Sequence, residues 1–124
     1  MRVLLVEDED GVRALIREVL QRHGYRVIDT RNGPEATQAC ERHEGEIHML
    51  LTDVVLAQIT GTDLARQLSP MRPRMKVLFI SGYTEEAIVH QGVLEEGTAF
   101  LQKPFTPNVL ARKVREVLDG KIGD

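Results

Sequence analysis

Only one cysteine, Cys40, occurs in the 124 residues. No intrachain disulfide can form, and the chain fits a reducing compartment. No apolar run approaches the roughly 18–20 residues that cross a bilayer. The N-terminus has neither the apolar core nor the small-residue cleavage site of a secretory signal. An excess of basic charge is missing too. Sixteen Lys and Arg against nineteen Asp and Glu give a net charge of -3, which offers no electrostatic case for nucleic acid or an anionic membrane as partner. The one basic cluster, MRPRMK at 71–76, is short and reads as a solvated loop. There is no internal repeat and no low-complexity tract. His23, His43, His48 and His90 are scattered without ligand spacing and read as surface or helix-end residues. The expectation is a cytoplasmic globular domain over residues 1–120, with 121–124 as a C-terminal tail. A 42% apolar content supplies its core, and the length is that of one ordinary domain.

What the sequence does contain is an alternation of short apolar runs with helical stripes. RVLLV (2–6) reads as a strand. Val12, Leu15, Ile16, Val19 and Leu20 then recur on one helix face, and Gly24 stops the helix. YRVID (25–29) alternates as a strand. Gly33-Pro34 opens a second helix with Ala36, Ala39 and Cys40 inward, as Pro suits a first turn. HMLLT (48–52) is a third strand, and Gly61 precedes a helix striped by Leu64, Ala65 and Leu68. KVLFI (76–80) is a fourth strand, with Thr84 as cap of a weakly striped helix over EEAIVHQ. TAFLQ (98–102) is the fifth strand. Thr106-Pro107 starts a last helix carrying Leu110, Val114, Val117 and Leu118, which fades at Gly120. Strict alternation means a parallel sheet covered on both faces. The expected fold is α/β, a flavodoxin-like (βα)5 doubly wound sheet of strand order 2-1-3-4-5, with its site at the carboxyl ends of the strands.

Those ends carry the chemistry. The first strand runs into Glu7-Asp8-Glu9-Asp10, the third delivers Asp53, the fourth Ser81-Gly82 and the fifth Lys103-Pro104. The second delivers nothing obvious. Three ionised carboxylates about 4–6 Å apart repel by roughly 1–4 kcal/mol per pair. Lys103 offsets one charge, and a divalent cation would offset the others. Hard oxygen ligands suit Mg2+ or Mn2+, which also take phosphate oxygens. A carboxylate beside such a metal can act as a nucleophile on phosphorus.

VEDED (6–10), LLTD (50–53), Gly61 eight positions past Asp53, ISGY (80–83) and LQKPF (101–105) together resemble the receiver domain of two-component response regulators. The resemblance covers the whole chain. Residues 77–119 are most similar to the C-terminal receivers of hybrid sensor histidine kinases. It implies that Asp53 accepts a phosphoryl group from a phosphohistidine. It implies Mg2+ ligation by Asp8 and Asp53, by Glu7 through water and by the Val55 backbone carbonyl. Lys103 and Ser81 would bind the phosphoryl oxygens, Ser81 and Phe100 would act as switch residues, and the bond to Pro104 would be cis. Val55 and Tyr83 would flank the path of the hydrolytic water. The implied partner is a histidine kinase or phosphotransfer domain, with a homodimer through the face of the fourth helix, fifth strand and last helix as a further expectation. The family usually has a proline four residues past the phosphoacceptor, where this chain has Ala57, and Phe100 lacks the hydroxyl of the tyrosine common at its position.

Plainer readings stand beside these. Asp10 suits an N-cap, Phe100 could be simple core, Ser81-Gly82 a turn, and Cys40 buried packing. Two other functions also fit the fold. A flavodoxin-like electron carrier would need a Ser/Thr/Gly-rich loop where this chain puts acids, and would be coloured. A degenerate receiver serving only as a binding module would take up no phosphoryl group.

Overall fold

The computed structural model describes residues 1–82 and 98–120. The helix expected over EEAIVHQ, Tyr83, His90 and the tail at 121–124 lie outside the described residues. Within them, β1 (Arg2–Val6), β2 (Arg26–Thr30), β3 (Met49–Asp53), β4 (Lys76–Ser81) and β5 (Phe100–Gln102) form one parallel sheet in the order β2-β1-β3-β4-β5. The helices are α1 (Asp10–Arg22), α2 (Gly33–Arg42), α3 (Gly61–Leu68) and α4 (Pro107–Leu118). The strand order is the expected one. β2 and β3 sit one residue later than the sequence pattern suggests, and β5 is trimmed to three residues. No helix among the described residues is long and apolar enough to cross a membrane.

The continuous apolar runs of the central strands follow from burial on both faces. Val3 to Val6 are each fully buried, and strand geometry sends alternate side chains to opposite sides. Leu4, Val6, Leu50 and Phe79 meet Ala36, Cys40, Leu64 and Leu68 of α2 and α3. Val3, Leu5, Leu51, Leu78 and Ile80 meet Ile16, Val19 and Leu20 of α1 and Leu110, Val114 and Val117 of α4. Helix starts follow the capping chemistry. Asn32, Thr60 and Thr106 each accept a backbone N–H from three residues on, which satisfies one otherwise orphaned donor per helix.

Three expectations need correction. Asp10 is not the N-cap of α1. Glu9 takes that place without a side-chain cap bond, and Asp10, inside the first turn, binds Arg13 instead. Leu15 is 49% exposed rather than on the inner face. At 100° per residue it lies on the edge of the stripe, ~60° from Val12 on the side away from Leu20, where neither the sheet nor α4 covers it. The 71–76 cluster is not wholly solvated. Arg72 donates to the carbonyls of Cys40 at 3.0 Å, of His43 at 2.6 Å and of Gly45, closing the end of α2. A guanidinium suits a helix C-terminus, where carbonyls lack partners. His48 likewise belongs to the fold: its Nδ1 accepts the Arg2 backbone N–H at 2.9 Å.

Candidate functional site

Register brings the strand ends level. Val6 lies opposite Thr52, and Asp53 opposite Ile80. The next residue past β1 is therefore level with the last of β3. Ser81 lies opposite Gln102, and its carbonyl accepts the Lys103 N–H at 2.8 Å. The side chains named from sequence thus converge. Lys103 Nζ lies 3.1 Å from Asp53 Oδ1 and 3.4 Å from Glu7 Oε2. Glu7 is 1% exposed, and its other oxygen accepts the Glu9 N–H at 3.2 Å. Asp8 is exposed, and one carboxylate oxygen from each of Glu7, Asp8 and Asp53 lies within 4.8 Å of the others. Ser81 is buried. It lines the same open cleft as Asp8, Glu9, Asp53, Val55, Gly82 and Lys103. The Lys103–Pro104 peptide bond is cis.

The electrostatics are those of a site with one cation too few. Burial, together with the facing Glu7, pushes the Asp53 carboxyl up to about 8, and Lys103 only partly opposes this. Burial works to lower the Lys103 ammonium, yet Asp53 and Glu7 outweigh it and its proton is held more tightly than usual. A buried carboxylate facing another is stable only when a proton or a metal separates them. Three convergent carboxylates with oxygen-only donors fit Mg2+, so the residues present suit the ion that the sequence calls for.

Gly61 has a steric reason. A Cβ there would lie 2.0 Å from the Asp53 carbonyl oxygen and 3.2 Å from the Val54 Cα. Both are backbone atoms and cannot rotate away. Its N–H donates to the Val54 carbonyl at 2.7 Å, and Val55 bridges to Thr60 in antiparallel fashion. These contacts tie the 55–60 loop at the place where Ala57 replaces a rigid proline. The bond from Gly61 is taken by the Val54 carbonyl and not by that of Val55, the one the family resemblance assigns to the metal. Gly61→Ala should therefore cost at least about 2–3 kcal/mol and weaken Mg2+ binding, which urea denaturation with and without Mg2+ would register. A loss below 1 kcal/mol with unchanged Mg2+ affinity would contradict this steric account.

A model of the family described as response regulator receiver domain matches residues 3–115. The chain belongs to this receiver family. It is 39% identical over 117 residues to the sensor kinase CckA of Brucella abortus (strain 2308), covering 94% of this chain and 12% of that kinase. It is 30% identical over 117 residues to the response regulator receiver protein CpdR of the same strain, covering 94% and 96% of the two chains. The crystal structure of the receiver domain from the hybrid histidine kinase CckA matches with a TM-score of 0.80 at 35% identity, over 95% of this chain and 99% of that one. The receiver is thus a module of two-component signalling, and the flavin-carrier reading is set aside. It is similar both to a segment of a large kinase and to a regulator of about its own length.

Phe100 is 8% exposed and packs in the core cluster shared with Phe79 and Val77. Val55 is 65% exposed at the cleft's edge. Tyr83 lies outside the described residues. Sequence reasoning missed two contributors. Arg13, 14% exposed, donates to the Glu7 carbonyl. β2, which looked idle, supplies the Thr30 carbonyl that accepts the Glu7 N–H at 3.1 Å. Both act on backbone groups of Glu7 and touch neither phosphate nor metal, so no residue-type pattern marks them.

Proposed function

We propose that this receiver accepts a phosphoryl group from a phosphohistidine of a histidine kinase or phosphotransfer domain onto Asp53, in a Mg2+-dependent transfer. The observation that carries the reading is a buried Asp53 carboxylate 3.1 Å from Lys103, with carboxylate oxygens of Glu7 and Asp8 within 4.8 Å. Asp8 and Asp53, Glu7 through water and the Val55 carbonyl would hold Mg2+, which when bound offsets carboxylate repulsion and the charge of the phosphoryl oxygens. A carboxylate oxygen of Asp53 attacks phosphorus in line. The P–N bond breaks, and its electron pair returns to the imidazole of the donor. Lys103 pairs with a phosphoryl oxygen, and the Ser81 hydroxyl donates to another. Attraction between Ser81 and that group favours one of two states of the switch, with Phe100 inside, and alters the face that includes β5 and α4. That face would meet a protein partner or a second receiver, consistent with a net charge of -3.

Phosphoryl loss needs one water opposite the aspartyl oxygen. Val55, two past Asp53, and Tyr83, two past Ser81, flank its approach in this reading. Neither carries a carboxylate or amide to orient it, a role worth about 10²–10⁴-fold. The experiment loads the protein from acetyl phosphate and Mg2+, removes the donor and follows the decay. Wild type should load and then lose the group more slowly than Val55→Asn/Tyr83→Glu. Absence of loading would refute the acceptor reading, and equal decay rates would refute the gate alone.

A further inference from the structure

Arg13 stands beside the site without belonging to its ligand set. Arginine is rarely buried unless paired, yet its side chain is 14% exposed. Its three nitrogens are all engaged. Nη1 donates to the Glu7 backbone carbonyl at 3.0 Å and Nη2 to the Asp10 carboxylate at 2.6 Å. Nε lies 3.8 Å from the Asp29 carboxylate of β2, which Arg17 also holds, at 2.9 Å. The Glu7 carbonyl belongs to the peptide unit whose N–H is that of Asp8. Glu7 is otherwise fixed from both sides, by the Thr30 carbonyl on its N–H and by Lys103 and the Glu9 N–H on its carboxylate. Asp8 is different. It is exposed, and among the described residues no hydrogen bond or ion pair holds its carboxylate. Its aim is set by its backbone, which the Glu7 carboxylate holds after Asp8, at the Glu9 N–H, and which the Arg13 guanidinium holds before it, at the Glu7 carbonyl.

We propose that Arg13 is a positioning residue for the metal-binding carboxylates. By fixing the Glu7–Asp8 peptide plane it aims the Asp8 carboxylate toward Asp53. The inference rests on the reading of Asp8 and Asp53 as Mg2+ ligands. It extends the site by one layer, from the acids that follow β1 and the one that ends β3 to a guanidinium on α1 and its carboxylate anchor on β2. The fork geometry matters. A guanidinium can hold the carbonyl and the Asp10 carboxylate at once, whereas an ammonium is a single point donor.

The test is a calorimetric Mg2+ titration of the purified protein, paired with urea denaturation of each variant. Arg13→Ala should weaken Mg2+ binding on the order of 10–100-fold, the usual effect of removing a group that orients a ligand. Arg13→Lys should recover part of the loss. Asp10→Asn and Arg17→Ala cut the neighbouring ion pairs but leave the Glu7 carbonyl bond, so their Mg2+ affinity should stay within about threefold of wild type, as for exposed pairs. If Arg13→Ala does not fold, Arg13→Gln takes its place, and its loss of affinity should exceed that of Asp10→Asn. Loss of stability with unchanged Mg2+ affinity in the Arg13 variants would overturn the positioning role and leave a merely structural one. A wild type that binds no Mg2+ would instead remove the ligand assignment, and the inference with it.

Discussion

The Asp53→Asn variant is expected to gain no phosphoryl group from acetyl phosphate and Mg2+ under conditions that load the wild type. An amide of the same size keeps the packing at a site that is 5% exposed but has no nucleophilic oxygen lone pair of comparable strength. The loss should be complete, because no neighbour is equivalent. Glu7 is committed to Lys103 and the Glu9 N–H. Asp8 is exposed and lies farther from the ammonium that would meet the transferred group, with no ion pair to Lys103. Intact mass spectrometry of both proteins decides the matter. A variant that gains the same phosphoryl mass as wild type would assign the acceptor elsewhere.

The same substitution should stabilise the metal-free protein. The Asp53 carboxyl ionises at 3.8 when unperturbed and is pushed up to about 8 in the fold, by burial first and then by Glu7. Across that window the folded chain keeps a proton that the unfolded chain releases, so stability falls as pH rises from about 4 to 8. Each tenfold change in proton affinity is worth about 1.4 kcal/mol, so several kcal/mol ride on this one carboxyl. Asn at 53 cannot ionise. Its variant should show a flatter profile and exceed the wild type most at the alkaline end of the window. Mg2+ competes with the proton, so its affinity for wild type should rise with pH and level off above about 8. Urea denaturation at both ends of the window, with and without Mg2+, reads all of this. A metal-free wild type that gains stability over the Asn variant as pH rises would contradict the repulsion account.

The topology was legible because each central strand is an apolar run that ends abruptly in a polar group, and the parallel order then brings Glu7, Asp53, Ser81 and Lys103 to one edge. Convergence of carboxylates with a lysine is a pattern of residue types, and such patterns survive in sequence. What stayed hidden depends on placement in three dimensions. Leu15 satisfies the helical period yet falls at the stripe's edge. Asp10 can cap or pair, and only the exact helix start decides. Arg72 and Arg13 act on backbone carbonyls, which carry no sequence signature at all. Gly61 could be placed in the pattern, but its cause, the Asp53 carbonyl beneath it, needed coordinates.

Asp53 should carry a phosphoryl group acquired only with a divalent metal. The most direct measurement is proteolytic mapping of the wild-type protein after incubation with acetyl phosphate, in Mg2+ and in chelator, with borohydride trapping of the acyl phosphate. Modification is expected at Asp53 in Mg2+ and nowhere in chelator. Trapping at Glu7 or Asp8, or equal modification of Asp53 without metal, would contradict it.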